Sequence, residues 1–121
     1  ASGFDFARMQ ACNAYLGASL HPAIGKGLFA RPPLEGVVRE SALDLALNKY
    51  RLIEHSLFKG PWALGEAYSV TDGYLSVFTR WARQANLLSN DEFPRLNAHL
   101  DRIQARPATQ RVLAAEGLAP V

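Results

Sequence analysis

Three histidines, one cysteine and a scatter of carboxylates are the residues of this 121-residue chain that could do chemistry. Their spacing excludes most of what such residues usually do. None of His21, His55 and His99 has another His, Cys or carboxylate four residues on, the spacing that sets two metal ligands on one helix face. Asp101 follows His99 by two and points elsewhere on a helix, so no metal site is expected. Cys12 falls within an apolar stripe, away from a helix start or a neighbouring base, and reads as a small buried hydrophobe rather than a nucleophile. Gly25-Lys26-Gly27-Leu28-Phe29-Ala30 matches a loose dinucleotide fingerprint. That motif needs a strand before it and a helix after it, whereas here a helical pattern precedes and Pro32-Pro33 follow, so it reads as a flexible loop. No nucleophile elbow or catalytic triad is recognisable.

His21 has the best case for function. It is expected at a helix C-terminus, next to a glycine-containing loop, with Pro22 fixing the turn. A helix dipole can stabilise the charged ring there; the same ring can instead cap the last carbonyls, and spacing alone favours that capping role. Trp81 lies on the apolar stripe of a helix and reads as core. Tyr15 lies off the stripe of its helix and is either exposed or turned toward a cleft or partner.

Of the elements that must hold these residues, the clearest begins at Ser69-Val70-Thr71-Asp72. Serine followed three residues later by a carboxylate is a capping box, in which each side chain serves the other residue's backbone N–H. It precedes the apolar run Gly73–Arg83, and the pair reads as the start of a buried central helix over residues 70–85. Tyr74, Val77, Phe78, Trp81 and Ala85 make its main stripe, with Leu75 and Ala82 on the flank. Gly73 in the first turn suggests close approach of another backbone.

A first helix is expected over residues 4–20, with Phe6, Met9, Cys12, Leu16 and Leu20 on one face, ended by His21-Pro22 because the residue before proline is pushed out of the α region. A second, over 34–57, carries two apolar stripes: Val38, Ala42, Leu45 and Leu52, and Leu43, Leu47, Tyr50 and Leu57. Two stripes imply two packing partners. A fourth helix starts at Pro94 and a fifth after Arg106-Pro107. No period-two strand pattern occurs. The prediction is an all-α bundle of about five helices around the capped one, forming a single domain over residues 1–121.

The net charge of +2 is too even to argue for nucleic acid or anionic membrane. No apolar run approaches the ~18 residues that span a bilayer. The N-terminus lacks a signal pattern, and a lone cysteine cannot form an internal disulfide, so cytoplasm is the expected compartment. With Ala1 in place of a starting Met, we expect a chain processed or cut from something longer.

Four stretches resemble the C-terminal helical domain of glutathione transferases, most like the bacterial beta class. They are the capping box Ser69–Asp72, the surrounding run Gly65–Leu75, the segment Phe78–Ala82, and the ending Ala105–Leu118. The resemblance implies a cytosolic detoxification enzyme, a homodimer, that adds the thiolate of glutathione to hydrophobic electrophiles. It also implies a thioredoxin-like N-terminal domain that holds most of the glutathione site and the catalytic residue. Nothing in this chain resembles that domain, so the chain alone is expected to be inactive, with glutathione a co-substrate of the parent rather than a cofactor. The helical domain would supply the wall of the electrophile pocket and part of the dimer contact. By the same resemblance, His21 matches a histidine that lines the active site, and Trp81 a tryptophan near the electrophile pocket. Pro22, Ala14 and Ala18 depart from the family's lysine, asparagine and threonine. These departures keep open a second reading: a non-catalytic transferase-like domain for protein–protein assembly.

Overall fold

One helical rod runs through residues 3–29, past the proline expected to end it. The computed structural model describes residues 2–121. Its helices are α1 (Gly3–Tyr15), α2 (His21–Phe29), α3 (Gly36–Leu52), α4 (Val70–Gln84), α5 (Pro94–Gln104) and α6 (Pro107–Ala115). A π-helical turn, Leu16–Leu20, joins α1 to α2, and a second, Ile53–Leu57, extends α3. Five continuous rods result, as the sequence indicates. The only β pairing among the described residues is an isolated bridge between Trp62 and Gly65.

The first π turn explains why His21-Pro22 does not break the helix. His21 keeps α geometry, and its N–H reaches back five residues to the Leu16 carbonyl. Proline is excluded from helix interiors because it lacks an N–H and its ring strikes the carbonyl four residues back. A turn widened to five residues relieves that clash and leaves Pro22 in the first turn of α2, where no donor is required. Gly25 to Phe29 are therefore helical and not a flexible loop.

The core gathers Leu16, Leu20 and Ile24 from the first rod, Ala46, Tyr50 and Ile53 from the second, and Leu75, Phe78 and Ala82 from α4, closed by Phe93 and Leu96. Each of the leucine, isoleucine and phenylalanine side chains contributes roughly 1.5–3 kcal/mol by leaving water. Tyr50 donates its buried hydroxyl to the Phe78 carbonyl at 2.6 Å, and burial pushes its pKa well up. On α3 the stripe containing Leu43, Leu47 and Tyr50 packs inward, while Val38, Leu45 and Leu52 are exposed. On α1 the stripe is buried only from Cys12 onward, and Phe6 is exposed.

Helix α4 is central but rotated from the expected stripe. Thr71, Asp72, Leu75, Phe78, Thr79 and Ala82 are buried, whereas Tyr74 and Val77 are partly exposed. Hydrogen bonds make the polar members admissible: Thr71 donates to Asn13 Oδ1 at 2.8 Å and Thr79 to the Leu75 carbonyl at 3.0 Å. Gly73 is not approached by backbone. A Cβ there would lie 2.8 Å from the Tyr68 hydroxyl, so the small residue makes room for a side chain.

The capping box forms. Asp72 accepts from the Ser69 N–H at 2.7 Å and the Ser69 hydroxyl at 3.0 Å. Two more donors reach it: the Ala63 N–H at 2.7 Å and His99 Nε2 at 2.9 Å. Asp72 and His99 are both buried. Burial alone would push the Asp72 carboxyl up; the bonds from His99, Ala63 and Ser69 outweigh it and hold the carboxyl below its ordinary range. A second box, Ser2 with Asp5, starts α1 at the exposed surface. The box by itself therefore does not mark a buried start; the extra donors on Asp72 do.

Helix α5 is capped by a distant residue. Glu54, buried in the second π turn, accepts from the Arg95 and Leu96 N–H groups, each at 2.8 Å. Arg95 returns two bonds to the carbonyls of Glu54 and Phe58.

Candidate functional site

His21 projects from the first residue of α2, directly after the π turn, onto the outer edge of α4. Its ring lies 5.1 Å from that of Phe78 and 5.8 Å from that of Trp81. Phe29, two turns further along α2, meets Trp81 edge to face at 5.1 Å. Tyr74 closes the row, 4.9 Å from Phe78. The result is an aromatic wall built by α2 and α4, with the imidazole at its exposed rim.

Beside the wall runs a shallow groove lined by Gly17, His21, Pro22, Gly25 and Lys26. Its floor is low because glycines occupy it. A Cβ on Gly17 would come 3.1 Å from the Tyr74 hydroxyl, so a larger residue would push the tyrosine aside. Chemically, the groove offers one imidazole able to donate or accept a proton, a phenol, one lysine, and apolar ring faces. That set can bind an apolar planar group and orient a polar atom next to it. It lacks a nucleophile. Cys12 is buried, and burial raises its thiol pKa, which disfavours the thiolate.

His21 and Trp81 are thus brought together, though the setting of His21 differs from the one inferred. It does not end a helix, and no free carbonyl row lies there for it to cap. Tyr15 is placed elsewhere: its hydroxyl donates to the Lys49 carbonyl at 3.3 Å, tying α1 to α3. Phe29 and Phe78 join the site without having been singled out. Phe29 lay in a segment read as loop, which gave it no helical face.

Among the described residues no cluster of three or more His, Cys, Asp or Glu side chains could hold a metal ion. No helix among the described residues is long and apolar enough to cross a membrane.

Residues 29–107 match the family description "Glutathione S-transferase, C-terminal domain", and the chain belongs to that family. A curated relative, glutathione S-transferase GstA of Escherichia coli O157:H7, is 31% identical over 71 residues, 59% of this chain and 35% of the relative. Among solved structures, a sphingomonad glutathione S-transferase complexed with glutathione is similar at 30% identity with a TM-score of 0.80. BphK, a bacterial glutathione transferase solved as a ternary complex, is similar at 28% and 0.77. Each of these structural matches covers 98% of this chain and 58% of the other. The chain therefore spans a little over half the length of these solved relatives.

Proposed function

We propose that this chain is the electrophile-binding half of a glutathione transferase of beta-like type, and that the α2–α4 aromatic wall is the pocket wall. One observation carries the reading: His21, Phe29, Phe78 and Trp81 converge on one edge of the fold, and the ring of His21 is left exposed. The similar sphingomonad enzyme is complexed with glutathione. In the reaction so proposed, a thioredoxin-like domain preceding this chain binds glutathione and lowers its thiol pKa. The wall seats a hydrophobic electrophile, and His21 hydrogen-bonds the sulfur or a water beside it. Ala14 and Ala18 have no side-chain donor to offer glutathione, which leaves that task to the other domain. The protein acts as a cytoplasmic homodimer, and the exposed stripe Val38, Leu45 and Leu52 on α3 suits a contact with the second copy.

The same exposed stripe favours the second reading, a non-catalytic transferase-like domain used in protein assembly. Affinity of the full-length protein for an immobilised glutathione analogue separates the two. Retention with elution by free glutathione is the expected result; passage through the column supports the assembly domain.

A further inference from the structure

Three arginines beside α5 are held in place without being neutralised. Arg95 and Arg102 stand two helical turns apart and so share one face of that helix. Arg95 lies over the Phe58 ring at 5.2 Å and donates to the Glu54 and Phe58 carbonyls at 3.0 and 2.9 Å. Arg102 lies over the Trp62 ring at 5.6 Å and donates to the Pro61 carbonyl at 2.7 Å. Arg106, just past the end of α5, sits 5.9 Å from the same Trp62 ring and 3.5 Å from that of Tyr68. Ring faces and carbonyls fix where the guanidinium groups point but leave their charge in place. The carboxylates nearby are engaged elsewhere. Glu54 spends both oxygens on the backbone N–H groups of Arg95 and Leu96. Glu66 has an oxygen 3.1 Å from where a Cβ on Gly60 would stand. Among the described residues the ion pairs are Arg51–Glu92, Arg83–Asp101 and His99–Asp72, so none serves these three arginines.

Arg95 and Arg102 also line one cleft. It holds about 110 Å³, with Phe58 and Pro61 as its apolar members, Gly60 and Ala98 as its small ones, and no carboxylate. We propose that this cleft is an anion site that takes a phosphoryl group, held by Arg95 and Arg102, with Arg106 adding charge beside it. The planar fork of a guanidinium matches the oxygens of a phosphate and forms charge-assisted bonds with them. Anchoring on rings and carbonyls leaves little side-chain freedom to be lost when the anion arrives. Like charges gathered without a counter-charge repel one another, and a bound dianion reverses that cost. A cleft of this size admits one small anion rather than a folded surface. It is built by the 58–61 turn and α5, whereas the aromatic wall is built by α2 and α4, so the proposal does not depend on the transferase reading.

The test titrates the full-length protein with inorganic phosphate and, separately, with pyrophosphate, following backbone-amide and arginine Nε NMR signals. Sodium chloride at equal ionic strength is the control. Saturable shifts are expected in Lys59–Trp62 and in α5, with half-saturation at about 1 mM, the order that two charge-assisted contacts supply. Tighter binding of pyrophosphate points to a phosphoanhydride ligand and equal binding to free phosphate; either supports the site. Arg102→Gln should weaken binding at least about tenfold. Ala98→Glu should abolish it, because the new carboxylate occupies the cleft between the two arginines. Arg111→Gln, on α6, should leave binding as it is. The replaced side chains are exposed, so each variant is expected to keep the wild-type melting midpoint. Drift that never saturates and is matched by chloride is general screening and overturns the proposal. Saturable binding that survives Arg102→Gln or Ala98→Glu places the anion elsewhere and overturns it too.

Discussion

Asp72 concentrates more of the fold's specificity than any other single residue. Four hydrogen bonds converge on its carboxylate, from two backbone amides, a hydroxyl and a buried imidazole. Because a carboxylate only accepts, Nε2 of His99 is the donor, and Nδ1 of the same ring is left buried without a partner among the described residues. Removing the carboxylate strands all four donors. Asp72→Ala is therefore expected to cost about 3 kcal/mol in a urea melt, toward the upper range for a lost cap and buried partner. A cost of a few tenths would mean that the α4 start is solvated. The direction of the Asp72 shift also sets an acid limb. The folded carboxyl has a lower pKa than the unfolded one, whose ordinary value is 3.8. Its stabilisation is thus complete above that value and lost as pH falls toward and through the lower folded pKa. Asp72→Asn should flatten stability against pH in that acid window and leave the slope near neutral pH unaltered, as read from melts across the range.

Among the elements, the two π turns do the most to position the rest. The first carries the chain past Pro22 and delivers His21 to the aromatic wall. The second places Glu54 under the first turn of α5. Glu54→Ala should cost about 2 kcal/mol, as expected for stripping the acceptor from one buried and one part-buried N–H group. Glu92→Ala, which breaks a half-exposed ion pair with Arg51, should cost less than about 0.5 kcal/mol. Comparable losses in chemical denaturation would contradict the capping role of Glu54. These contrasts show what the sequence makes legible. Helix starts at Ser69, Pro94 and Pro107 are written in local chemistry and could be read from the chain. So could the inward stripe of Leu43, Leu47 and Tyr50, because apolar spacing is local as well. The π turns were illegible, since proline after His21 carries the same local signal whether the helix stops or widens. Glu54 and His99 act on groups 41 and 27 residues away, and no local pattern announces such partners. The rotation of α4 was hidden for a related reason: Thr71 and Thr79 count as polar until their acceptors are known.

For the whole molecule, the family membership and the all-α fold are established, and the catalytic reading turns on the edge where α2 and α4 meet. The site was half legible. His21 and Trp81 could be marked by their types and by resemblance, but their meeting with Phe29 depends on a helix continuing through a segment that reads as loop. The measurement that tests the account most directly is glutathione conjugation to an aromatic electrophile by the full-length protein, wild type against His21→Ala. The account predicts saturable turnover in the wild type. In the variant kcat should fall at least about tenfold, an ordinary loss for a positioned hydrogen-bonding or proton-transfer group, while the melting midpoint holds because the ring is exposed. A wild type that conjugates nothing, or a variant with unchanged kcat, would contradict it.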